Sequence, residues 1–156
     1  MKLKTRLLKL ALVGLGAFLL VLATIFTMSL ITEGTIGMSA IAWLFFAAVG
    51  LTAFFGLWTL VYLYQIVDLI AKNNSFSERT LVLVAKVKHR ILAAAISFCG
   101  ILPFVAQAAD LDDAPGLILV GLGLILLPFA AYLFSLIVEE LFKNAISLKN
   151  EQDLTI

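Results

Sequence analysis

Residues 10–32 read LALVGLGAFLLVLATIFTMSLIT, a run of 23 residues without a charge. As an α-helix rising about 1.5 Å per residue it covers ~35 Å, more than the roughly 30 Å hydrocarbon thickness of a bilayer. Lys2, Lys4, Arg6 and Lys9 precede it, an arrangement with which a secretory signal peptide also begins. A signal peptide, however, has an apolar core of about 7–15 residues with a small-residue cleavage site close behind it. This run is longer and no such site follows it closely, so it is expected to remain as a membrane anchor.

Working outward, residues 34–67 form a second uncharged run of 34 residues, longer than one span requires. Other signals set its edges. Ser39 can accept a hydrogen bond from a free backbone N–H and start a helix. Trp43 and Tyr62 are ~28 Å apart along a helix, the spacing of two interfacial aromatic anchors. A span over 39–66 is expected, continuing past Tyr64 and Gln65 towards Asp68.

Residues 68–90 make the only long polar stretch between apolar runs. Asn73-Asn74-Ser75-Phe76-Ser77 is rich in turn formers, and Ser75 with Glu78 fits a capping box, so a new helix is expected to start there. It enters the membrane at Ile91 and crosses over 91–109, with a kink expected at Pro103. Asp110-Leu111-Asp112-Asp113-Ala114-Pro115 is an acidic turn in which Asp113 is the expected N-cap of a fourth span over 114–138. Pro128 predicts a second kink, and a tail over 139–156 follows. No internal repeat is apparent. The expected fold is all-α, a single domain of four transmembrane helices in a bundle.

Composition agrees with that reading. Hydrophobic residues are 63% of the chain and charged residues 13%, against roughly 45–50% and about 25% in soluble domains. The net charge of +1 carries no nucleic-acid signal because the charges are sorted by side. The 11 Lys and Arg divide as 4, 0, 5, 0 and 2 among the flanks of the four spans, all on one face. By the positive-inside rule that face, with both termini, is cytoplasmic.

Several classes of chemistry find no support. One histidine, His89, and one cysteine, Cys99, do not make a metal site, and Cys99 reads as a packing residue. Gly14-Leu15-Gly16 and Gly121-Leu122-Gly123 lack the further glycine and the strand-turn-helix setting of a phosphate cradle. They are read as points of close helix approach. No catalytic cluster and no cofactor are indicated, so an enzyme is not expected. No charge lies at mid-span, where a transport path usually leaves one. Asp68, Glu139 and Glu140 fall at span ends within reach of water, and Thr52, Thr59, Ser97 and Gln107 are expected to hydrogen-bond between helices. Ala93, Ser97 and Gly100 share one helix face, against which the first or second helix is expected to lie closely. Whether the chain self-associates, for instance through Gly14, Gly16 or this stripe, is left open.

Asp68-Leu69-Ile70, Asn74-Ser75-Phe76-Ser77 and the ending Glu151-Gln152-Asp153-Leu154-Thr155-Ile156 resemble a family of bacterial four-helix inner-membrane proteins catalogued as a domain of unknown function. Length and span layout agree over nearly the whole chain, with Asn73-Asn74 standing where a glycine is expected before the phenylalanine. The resemblance implies a partner, because such proteins are typically encoded beside a small helix-turn-helix regulator of the Cro/repressor type. The expectation is therefore a non-enzymatic regulatory or sensory protein of the bacterial cell membrane. Its partner-binding residues would be Asp68, Phe76, Asp153, Leu154, Thr155 and Ile156. A small transporter or channel subunit is the alternative.

Overall fold

The computed structural model describes residues 2–32 and 39–155. Among them every regular element is helical: α1 (Lys2–Thr32), α2 (Ala40–Ala71), α3 (Glu78–Phe98), a 3₁₀ turn (Cys99–Ile101), α4 (Leu102–Leu111) and α5 (Gly116–Leu154). Four helical stretches are long and apolar enough to cross a membrane, α3, the turn and α4 together making one of them. The chain is a multi-pass membrane protein, with Lys9, Lys72, Lys88 and Lys143 grouped at one end of the bundle and Asp110, Asp112 and Asp113 at the turn towards the other.

Local chemistry sets the helix ends. Ser39 caps α2 as expected, its Oγ accepting from the Ala42 N–H at 3.2 Å. α2 stops at Asn73, which takes a left-handed φ of 61° while the Asn74 N–H donates to the Leu69 carbonyl at 3.0 Å. This closure ordinarily favours glycine, and asparagine is among the few residues that replace it cheaply. Asn73-Asn74 thus does the work of the glycine expected in this loop.

α3 begins two residues later than the expected capping box. Its cap is Ser77, which accepts from the Thr80 N–H at 3.3 Å, and the Ser77 and Thr80 hydroxyls both donate to the Asn74 carbonyl. Thr80 is completely buried. Local bonding around that carbonyl, with the turn already fixed by Asn73, moves the start from Ser75 to Ser77.

The break expected near Pro103 is present. Proline has no N–H for the carbonyl of Cys99, one turn earlier, and residues 99–101 tighten into the 3₁₀ turn. Gly100 lies in that turn, and a β-carbon there would come within 2.8 Å of Ala48 Cβ on α2. The close approach is thus to the second helix, with Ala94 and Ala95 more buried than Ala93. α5 remains helical through Pro128. Asp113 does not cap α5. It adopts a φ of 52° and ends α4, with the Ala114 N–H donating to the Ala109 carbonyl at 2.9 Å. With Asp113 used to reverse the chain, the residue before α5 is Pro115, which has no side-chain cap bond.

Two buried layers hold α2, α3, α4 and α5 together. Ile66, Leu83, Val84 and Val87, with Val138 and Phe142, fill the layer at the lysine-rich end. Ala48, Ile101 and Ile125, with Phe45, Val105 and Phe129, fill the other. Gly121 belongs to the second layer, since a β-carbon there would meet Val105 Cγ1 at 2.8 Å. Gly16 faces Leu60 more loosely, whereas Gly14 and Gly123 have open space beside them. Among the described residues α1 lies against α2 alone in substantial helix contacts, with the Phe26 ring tilted against those of Phe45 and Phe46. Most of the hydroxyls turn back on their own helices. Thr59 donates to the Phe55 carbonyl and Ser97 to that of Ala93. Of the four polar residues expected to bond between helices, Thr52 reaches across, to the Ala94 carbonyl at 3.5 Å beside its own-helix bond to Ala48, and Gln107 is exposed. A hydroxyl on a short side chain finds a carbonyl one turn away more easily than one on the next helix.

Candidate functional site: two carboxylate clamps at the lysine-rich end

Antiparallel packing brings the start of α1 beside the end of α2, and the first half of α3 beside the last third of α5. Charges far apart in sequence meet there. Lys9 Nζ lies 2.5 Å from Asp68 Oδ1, and Lys72, one turn on from Asp68, lies 2.8 Å from Oδ2. Lys88 Nζ lies 2.5 Å from Glu139 Oε2, and Lys143, one turn on from Glu139, lies 3.6 Å from Oε1. Each carboxylate therefore has a lysine from the preceding long helix on one oxygen and its own i+4 lysine on the other.

The two clamps differ in depth. Asp68 keeps a third of its side-chain surface exposed, whereas Glu139 and Lys88 keep 12% and 17%. Water at span ends was the expected partner of both carboxylates, but lysines take that role. Next to low-dielectric surroundings a charge needs a compensating charge more than in water. Aromatic rings also support cations of this end. Lys86 lies over Tyr62 at 5.7 Å, Lys9 over Tyr64 at 5.0 Å, and the Arg90 guanidinium over Trp58 at 4.7 Å. Their aliphatic stems can lie along apolar helix surface while the charge is held at the rim.

The clamps coincide with a short repeat. Ile66-Val67-Asp68-Leu69-Ile70-Ala71-Lys72-Asn73 and Ile137-Val138-Glu139-Glu140-Leu141-Phe142-Lys143-Asn144 share the pattern I-V-[D/E]-x-[I/L]-x-K-N. In each copy the valine faces the bundle, the carboxylate takes the lysine of the preceding long helix, and the second lysine closes the clamp. The copies diverge at their asparagines. Asn73 turns the chain, whereas Asn144 lies within α5.

Of the residues expected to bind a partner, Asp68 is committed to its two lysines. Phe76 is half exposed, its ring centroid 6.0 Å from that of Phe142. Asp153 and Leu154 continue α5, and Thr155 caps it, its hydroxyl donating to the Glu151 carbonyl at 2.8 Å. Ile156 lies outside the described residues. Phe76 thus meets α5 at Phe142, about three turns short of Asp153, and the loop and tail candidates are not gathered into one patch. His89 Nδ1 is 2.7 Å from the Ala85 carbonyl of its own helix, and Cys99 packs in the second buried layer. No group of metal-ligating side chains converges among the described residues.

The family model described as "Protein of unknown function (DUF2975)" matches residues 31–156. The chain belongs to this family. The DUF2975 match takes in α2 to α5 and both carboxylates, while almost all of α1, with Lys9, precedes it. The chain is also 30% identical over 93 residues to "Uncharacterized membrane protein YoaS" of Bacillus subtilis (strain 168). That similarity covers 60% of this chain and 58% of the relative, so the chain spans less than two thirds of the relative's length. No solved structure matches.

Proposed function

We propose that this DUF2975 protein is a non-enzymatic regulatory or sensory component of the bacterial inner membrane. Its lysine-rich end faces the cytoplasm, and the surface offered there by residues 68–90 and the end of α5 receives a soluble partner. The observation that carries this reading is the overrun of α5. Its 39 residues make ~58 Å of helix, well beyond a hydrocarbon layer of roughly 30 Å. Beyond Glu139 the helix continues to Leu154 with Leu141, Leu148 and Leu154 largely exposed among polar neighbours. Leu141 and Leu148 are one heptad apart, the spacing of anchors on a helix that docks into a groove. The Glu139 clamp fixes the root of that helix.

The family resemblance supports a small helix-turn-helix regulator as the partner. Deleting residues 153–156, or replacing Leu148 with Glu, touches no membrane span and should leave insertion and abundance unchanged. Co-purification of the regulator encoded beside the gene should be lost, and transcription of its targets altered. Full retention of both by both variants would refute the tail as a docking helix. Protein-dependent solute flux in membrane vesicles would favour a transporter or channel subunit instead.

A further inference from the structure

We propose that the seam between α1 and α2 is a binding site for one anionic glycerophospholipid of the leaflet that meets the lysine-rich end. Two cavities lie along this seam at successive depths. The outer, of about 490 Å³, is lined by Lys2, Thr5, Arg6, Lys9, Ile70 and Asn73 among others. The inner, also of about 490 Å³, is lined almost wholly by apolar groups, among them Leu12, Val13, Gly16, Leu20, Leu57 and Leu60.

The same face of α1 serves both. Lys2, Arg6, Lys9, Val13, Gly16 and Leu20 recur at three- and four-residue steps, so one stripe of the helix changes from cationic to apolar where the uncharged run begins. Lys9 over the Tyr64 ring marks the boundary. Below it, Gly16 leaves α1 without a side chain opposite Leu60, and the groove stays open.

Charge selects the occupant. Asp68 is the acid beside the outer cavity, and Lys9 and Lys72 already neutralise it. Lys2 and Arg6 form no ion pair among the described residues and remain to meet an anion at headgroup depth. A basic cleft between membrane helices above an apolar groove fits a phosphodiester head with its acyl chain beneath. A free phosphate would use only the upper half. The second clamp lacks this arrangement, because Val138 and Phe142 beside Glu139 pack into the buried layer.

The test uses the full chain in detergent and measures bound lipid by native mass spectrometry during titration with phosphatidylglycerol or phosphatidylcholine. Phosphatidylglycerol should be retained as one tight equivalent and phosphatidylcholine should not. The double variant K2Q/R6Q should weaken phosphatidylglycerol binding about thirtyfold, at roughly 1 kcal/mol per cation. Val61→Trp, which fills the inner groove from α2, should weaken it as well, whereas Lys149→Gln at the far end of α5 should not. Equal retention of the two lipids, or wild-type affinity in K2Q/R6Q or in Val61→Trp, would overturn the proposal. So would displacement of the lipid by millimolar inorganic phosphate, which would leave only a surface anion site. Unchanged thermal unfolding of the variants would establish that lost binding is not lost folding.

Discussion

Lys88 and Glu139 stand 51 residues apart in the chain and meet at 2.5 Å between α3 and α5, both largely shielded from solvent. No other ion pair ties these two helices among the described residues. It joins α3, which follows the turn at Asn73, to the helix that projects beyond the bundle.

Removing one partner leaves the other charge poorly compensated. Lys88→Met or Glu139→Leu should each lower stability by about 2 kcal/mol, whereas K88M/E139L should cost less than either single change. The charge-swapped K88E/E139K should recover most of the loss. Thermal unfolding in one detergent checks the series, and additive losses in the double variant would show that the pair is not coupled.

The first clamp ties α1 to α2 at a more exposed place, so its loss should be local. Asp68→Asn should free the start of α1, read as faster protease cleavage or amide exchange before residue 10, with the unfolding temperature nearly unchanged. A large drop in that temperature would mean that α1 holds the bundle together, contrary to its packing chiefly on α2 among the described residues.

Gly100 and Gly121 test close packing. Gly100→Ala brings a β-carbon within 2.8 Å of Ala48 Cβ, a short side chain that cannot rotate away. The clash should cost about 1–3 kcal/mol, outweighing the ~1 kcal/mol gain in helix propensity, and Ala48→Gly should relieve it. Gly121→Ala meets a Val105 methyl that can turn aside, so its loss should be smaller. Equal stability of Gly100→Ala and wild type would remove the close-approach role.

Pro103→Ala should supply the N–H that the Cys99 carbonyl lacks and turn the 3₁₀ segment into α-helix, making one helix from Glu78 to Leu111. An experimental structure of the variant that retained the 3₁₀ turn would assign the break to Gly100 and its packing against Ala48 instead.

Orientation is tested with a reporter active only outside the cytoplasm. It should be silent when fused at Arg79 or after Lys149, and active within residues 110–113. Activity after Lys149 would reverse the proposed placement of the lysine-rich end.

The crossings are legible in the residues alone, because a span is a property of one contiguous run: 23 uncharged residues at 10–32 are apolar wherever they lie. For the same reason the Ser39 cap and the break at Pro103 were legible, each depending on groups within one turn. The two clamps were not, since Lys9 reaches Asp68 across 59 residues and Lys88 reaches Glu139 across 51. The shared I-V-[D/E]-x-[I/L]-x-K-N pattern was present as a signal, but its meaning rests on a lysine that each copy borrows from another helix. Asp113 and Ser75 do not take the expected cap positions, because several residues nearby can cap or turn the chain and long-range geometry selects among them. That the carboxylates are held by lysines, that Gly100 meets α2, and that α1 packs chiefly on α2 among the described residues all follow from how the helices are arranged in space. Each depends on which helix faces which, and a run of apolar residues that satisfies lipid on every side does not encode that choice locally.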